Sequence, residues 1–299
     1  MKKGIILTLG TAVISGVSIF INQFGVKMAN PYLFTGAKNI VVAVLLTGLI
    51  LTLMRLKEFK QLTRQNWLSL IVIGLVGGSV PFLMFFKGLS LATGSEAAYL
   101  HKFLFVFVAI LAPIFLKEKF KLNYLLGFLS LFFGSALLFK IQFPLSLDSG
   151  DWLILGASLL WGIECILAKK VLSSLSGRMV AWGRMTFGAL FIILFWVATG
   201  QANLFWQLSG SQWSWIILTA GLLFGYVLTW YTGLKYIPAT QAAVILSLGA
   251  PITGLLEILQ GKLYSGLQVQ GMILMVGAVV CLIIMQKKCS PSLTPQSTH

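Results

Sequence analysis

Residues 88–119 read GLSLATGSEAAYLHKFLFVFVAILAPIFLKEK, and residues 233–262 read GLKYIPATQAAVILSLGAPITGLLEILQGK. A shift of 145 lays Gly88 on Gly233, Leu89 on Leu234, Ala97 on Ala242 and Ala98 on Ala243. Each stretch holds an apolar run long enough to cross a bilayer. The first also carries Glu96, His101 and Lys102. A charged side chain at mid-membrane costs roughly 2.5 to 3.5 kcal/mol on insertion scales, so these residues point to function. The reading that decides the fold is a duplicated membrane chain.

The composition agrees. Of 299 residues, 58% are hydrophobic and 10% are charged, with a mean hydropathy of +0.93; soluble domains carry about 25% charged residues. The net charge of +15 comes without a basic block interleaved with stacking aromatics, so no nucleic-acid partner is expected. Cys165, Cys281 and Cys289 lack disulfide or zinc spacing, and neither a metal nor a cofactor is expected. The histidines are His101 and His299, and no paired carboxylates, Ser/His/Asp set or Gly-rich phosphate loop is present, which argues against an enzyme. The run after Met1-Lys2-Lys3 continues past Val26 with no A-x-A-like site, so it reads as a span rather than a cleaved signal.

Windows of about 20 apolar residues place spans near 4–26, 32–54, 67–87, 95–116, 122–140, 151–171, 178–199, 213–234, 240–259 and 266–286. The expected fold is an all-α integral membrane protein of ten transmembrane helices. Gly10 and Gly16 fall on Gly156 and Gly162 at a shift of 146, and Lys38 falls on Arg184. The chain therefore divides into five-helix repeats at 1–140 and 151–286, with a polar tail over 287–299 expected to be disordered. Five is odd, so the second repeat enters the membrane from the opposite face, giving inverted repeats with a site between them near the midplane. Most Lys and Arg residues fall on the side of both termini, which predicts a multi-pass cell-membrane protein with cytoplasmic N- and C-termini.

The ten spans, the two repeats, the GLxxxxxxxAA opening of the fourth and ninth spans and the LKEK ending at Lys119 resemble the EamA-type branch of the drug/metabolite transporter superfamily. In the second copy Gly261 and Lys262 replace the acidic residue and lysine of that ending, and the ninth span reads Gly249-Ala250-Pro251 where a Glu-Pro pair is often found. The resemblance implies a carrier, most often an exporter, with the first four spans of each half around a central cavity and the fifth and tenth outside.

In the first span Thr8, Thr11, Ser15, Ser18 and Asn22 share one helical stripe, which serves either as glue to a neighbouring helix or as a cavity lining. The repeat carries Ser15 to Trp161 and Ser18 to Glu164. Glu164 is the foremost candidate: a mid-helix carboxylate that pairs with Arg184 or Lys38, binds a substrate amine or carries a proton. Lys38 and Arg184 either reach the cavity or snorkel to the interfaces. In the fourth span Tyr99 and Lys102 share a face, Ser247 is the repeat partner of Lys102, and His101 and Glu96 join Glu164 as proton-coupling candidates. Trp161, Trp230 and Tyr231 are candidates for stacking on a substrate. Glu257 reads as interfacial.

This inventory predicts a secondary transporter that exports a small metabolite, an amino acid or a related zwitterion or organic anion, by alternating access. Its partners are a small-molecule solute and the lipid bilayer, and the oligomeric state is open. Multidrug efflux of lipophilic cations is the alternative.

Overall fold

The computed structural model describes residues 1–25, 30–53, 56–92, 94–118, 123–142 and 147–287. The expected disordered tail lies almost wholly outside the described residues. Fourteen α-helices occur among them, with no strand. They are α1 (Lys2–Gly25), α2 (Pro31–Thr52), α3 (Leu56–Lys60), α4 (Arg64–Gly78), α5 (Val80–Leu89), α6 (Gly94–His101), α7 (Phe103–Leu116), α8 (Asn123–Leu138), α9 (Ser149–Val171), α10 (Gly177–Ala198), α11 (Gly210–Tyr236), α12 (Ala239–Leu246), α13 (Gly249–Leu259) and α14 (Gly266–Lys287).

Their starts follow local chemistry. Asn30 caps α2, with Pro31 at its first position; Thr63, Ser176 and Ser209 accept from the first-turn amides of α4, α10 and α11. Nine stretches among the described residues are long and apolar enough to cross a membrane, and the shorter apolar helix Leu125–Leu138 stands where the fifth span was expected. Large apolar side chains such as Val44, Ile110, Leu126, Leu190 and Ile273 are exposed on the outside of the bundle. Such a surface is stable in lipid, where every backbone polar group is satisfied within its helix.

Three expected spans are broken rather than continuous. The third divides at Ser79 into α4 and α5, the fourth at Lys102 into α6 and α7, and the ninth at Ser247–Leu248 into α12 and α13. Proline explains two of these breaks. Pro81 cannot donate to the Gly77 carbonyl four residues earlier, nor Pro251 to that of Ser247. The break at Lys102 has no such proline, and nothing in the sequence explains it. It falls, at a shift of 145, on the break at Ser247.

The packing exchanges the two sequence halves. α1 packs on α11, α12 and α13, while α9 packs on α4, α5, α6 and α7; α2 meets α10, and α8 meets α14. The glycines show this at atomic scale. A methyl on Gly4 would meet Tyr236, Ile237 and the Gly233 carbonyl, whereas one on Gly150 would meet Leu91, Ala92 and the Gly88 carbonyl. Each contact in the second set is the counterpart of one in the first at the repeat shift. Gly16 against Ile252 corresponds likewise to Gly162 against Phe107. Gly10 has open space beside it, so only Gly16 of that pair supports a close helix approach.

The same contacts sort the helix ends. Gly4, Tyr236 and Ile237 meet at one end of the bundle, which also holds the close of α7 at Glu118 and of α9 at Lys169. Gly88 and Gly150 meet at the other.

Candidate functional site

The break in the third span builds the most polar buried locus. Pro81 frees the Gly77 carbonyl from its helix, and two side chains take it up: Trp161 Nε1 donates to it at 3.1 Å from α9, and Arg184 Nη2 at 2.9 Å from α10. The next carbonyl, Gly78, accepts from Asn39 Nδ2 of α2 at 3.1 Å. Orphaned carbonyls at a helix C-terminus carry partial negative charge, so a guanidinium there is electrostatically matched.

Glu164 lies against the same glycine. It is 4% exposed, and its Oε1 accepts from the Tyr231 hydroxyl of α11 at 2.6 Å. A methyl on Gly77 would overlap Glu164 Cγ and lie 3.2 Å from Arg184 Nε, so the bare backbone is what lets the carboxylate and the guanidinium approach each other. Arg184 is 7% exposed and its Nε has no hydrogen-bond partner. Arg184 is therefore turned into the protein, toward the Gly77 carbonyl.

Aromatic rings flank the locus. Trp161 stands 5.3 Å from Phe82, 5.7 Å from Phe85 and 5.1 Å from His101, centroid to centroid. Phe86 joins Phe82 and Phe85, and the Arg184 guanidinium lies over the Phe82 ring at 5.7 Å. All five of these rings are only partly buried. Trp230 stacks on Tyr226, one position along α11 from Tyr231.

Lys38, the repeat partner of Arg184, points its ammonium at Asn22 Oδ1, 3.4 Å away, and Asn22 Nδ2 in turn donates to Ser18. Ser18, Asn22 and Lys38 thus form a first-half counterpart of Glu164 and Arg184, without the carboxylate. The rest of the first-span stripe is seam. Thr11 donates to Thr229, Thr8 abuts Gly233, and Ser15 lies against Gly249.

Other candidates stand apart. Tyr99 is fully buried against Phe103 and Phe132, on the side of α8, with its hydroxyl unpartnered. Lys102 sits at the helix break, half-buried, and its ammonium has no hydrogen-bond or ion-pair partner among the described residues. Ser247 donates to Val244 in its own turn. Glu96 lies on α6 near its start. Glu257 binds Lys262 at 2.7 Å and Tyr264 at 2.6 Å; burial and that carboxylate push the Tyr264 hydroxyl above its ordinary pKa. No group of histidine, cysteine and acidic residues among the described residues could hold a metal.

Sequence reading missed Gly77, Phe82 and Asn39. The available signal was Pro81, since a proline inside a span marks the carbonyl four residues before it as free.

The EamA-like transporter family model matches residues 2–140 and 148–284. The chain belongs to the EamA-like transporter family. It is similar to the riboflavin transporter ImpX of Fusobacterium nucleatum subsp. nucleatum, at 28% identity over 75% of this chain and 79% of that protein. The uncharacterized transporter YyaM of Bacillus subtilis is 24% identical over 92% of each chain. A solved structure titled "Crystal structure of protein" superposes with a TM-score of 0.79 at 15% identity, covering 97% of this chain and 99% of that one. At that identity the likeness concerns the fold alone.

Proposed function

We propose that this family member is a secondary transporter that moves a small solute by alternating access between two inverted repeats. The observation that carries the reading is the Gly77 junction, where a broken span, a buried carboxylate and a buried guanidinium meet beside a partly uncovered aromatic wall. Discontinuous helices whose freed backbone groups line a site between repeats are the usual build of such carriers.

Several features support ten spans and inversion. The chain leaves α7 at the Glu118 end and enters α9 at the Gly150 end, so the segment containing α8 returns across the molecule. The exchanged glycine contacts place equivalent elements at opposite ends. Lys3, Lys60, Lys117, Lys169, Lys170, Arg178 and Lys235 share the end of the N-terminus, which we assign to the cytoplasm of a cell-membrane protein. α14 starts beside Leu138 and runs back toward that side, with Leu282 against Gly127.

The site we favour for the solute is the face formed by Trp161, Phe82, Phe85, Phe86 and His101, with Glu164, Tyr231 and Arg184 at its polar edge. Because Glu164 and Arg184 offset each other's charge, this face suits a planar, weakly charged ring with hydrogen-bonding groups. The relative named a riboflavin transporter is consistent with that chemistry. The amino-acid or zwitterion reading is favoured by one observation, the unpaired ammonium of Lys102. A lipophilic cation would be repelled by the Lys102 ammonium, by about 1 kcal/mol at 4 Å in water and about 4 at an effective dielectric of 20.

The test is counterflow in proteoliposomes with labelled riboflavin, phenylalanine and an ethidium-like dye. Saturable counterflow of riboflavin supports the favoured reading, of phenylalanine the second, and of the dye alone the multidrug alternative.

A further inference from the structure

Two acids of the first half reach across to the second at one end of the molecule. α7 closes on Lys117 in the left-handed conformation, with φ 55 and ψ 30, and that reversal turns the chain out of the helix at Glu118. Glu118 Oε1 accepts from Ala239 N at 2.6 Å and Oε2 from Thr240 N at 3.2 Å, so the carboxylate caps the first turn of α12. Glu58, on α3, repeats the arrangement. Its Oε2 accepts from the hydroxyl of Ser176, the cap of α10, at 2.6 Å, and its Oε1 pairs with Arg178 at 3.4 Å. Lysines tie the same end within the second half. Lys169 donates to the Leu234 and Ile237 carbonyls, each at 2.7 Å, and Lys235 to Leu175 at 2.9 Å.

Asp151 and Glu257, at the opposite end, bind locally. Asp151 binds the Asp148 amide in its own turn, and Glu257 binds Lys262 and Tyr264, all inside the second half. The repeat supplies no equivalent of the two bridging acids: a shift of 146 puts Glu58 on Leu204, and the LKEK ending puts Glu118 on Gly261. In a carrier of inverted repeats, the two end-closed states exchange equivalent contacts between the ends. Here the exchange cannot be complete.

We propose that Glu58 and Glu118 form a polar latch that closes the end bearing the N-terminus and holds the molecule in that state. The proposal rests on the transporter reading, and its test does not use transport. Glu118 supplies charge-assisted bonds to the first amides of α12, and Glu58 to the side chains of Ser176 and Arg178 at the start of α10, where a helix N-terminus favours negative charge. Opening this end separates both acids from α10 and α12.

Accessibility separates the latch from a merely structural cap. Ala168 and Ala157 lie on the Glu164 stripe of α9, toward the latched end and the other end, and both are fully buried. Single cysteines placed there, with the native cysteines replaced by alanine, are labelled with a membrane-impermeant maleimide in vesicles of both orientations. Glu118→Ala with Glu58→Ala is expected to raise labelling of Ala168→Cys at least tenfold from the latched side and to lower or leave unchanged that of Ala157→Cys. Equal labelling of Ala168→Cys with and without the acids overturns the latch, as does a rise at both positions, which marks general loosening. If the double variant does not express, Glu58→Ala alone, whose contacts lie at the very start of α10, is expected to give at least a threefold rise, and no rise overturns the proposal. The labelling shift in a protein that shows no counterflow would keep the latch and remove the transporter reading.

Discussion

The Tyr231 hydroxyl donates to Glu164 Oε1 across 2.6 Å, joining a helix that packs on α1 to one that packs on the broken third and fourth spans. The buried carboxylate is thus held by a residue whose helix follows the opposite half. A buried hydrogen bond contributes about 1 kcal/mol, and one to an ionised group about 1.5 to 3. Tyr231→Phe is expected to lower initial uptake rates severalfold to tenfold at equal expression while leaving the membrane-inserted fraction unchanged. Wild-type rates would show that the bond is packing only.

Gly77→Ala tests the junction from its other side. The added methyl overlaps Glu164 Cγ and crowds Arg184 Nε. We expect uptake to fall as far as in a Glu164 variant, with a lower unfolding temperature, whereas Gly48→Ala, which has open space beside it, is expected to be silent in both measurements.

The exchanged glycine contacts predict paired effects. Gly4→Leu and Gly150→Leu each force α1 or α9 off the facing backbone, and both are expected to cut the yield of folded protein in detergent. Gly10→Leu, beside open space, is expected to behave as wild type in the same fluorescence size-exclusion assay.

Topology has its own check. Cysteines at Lys60 and at Lys262 are expected to be labelled from opposite faces, Lys60→Cys from the cytoplasm. Labelling of both from one face would remove the odd number of crossings between them and with it the inversion.

The duplication was legible because glycine spacing records close helix approach: Gly88 and Gly233, quoted for their pattern, are each the floor of an inter-half contact. Glu164 was legible because an acid in an apolar helix has few bland explanations. Its partner was not, since Tyr231 was read as a stacking aromatic and only the fold brings its hydroxyl to the carboxylate. The first-span stripe divided, with Thr8, Thr11 and Ser15 in the seam and Ser18 and Asn22 toward Lys38, because a stripe records which side is polar without recording what it meets. Tyr99 and Lys102 share a helical face only if the helix is continuous, and the turn at Lys102 interrupts it. The role of Glu118 was hidden for a similar reason, as its partners are backbone amides more than a hundred residues away, which carry no side-chain signature.

The most direct test is counterflow of the best-transported probe by Glu164→Gln, beside Glu257→Gln as an acid that binds locally near a helix end. The account predicts saturable wild-type counterflow that falls at least tenfold in Glu164→Gln and persists in Glu257→Gln. Undiminished counterflow in Glu164→Gln, or flux that does not saturate in the wild type, would contradict it.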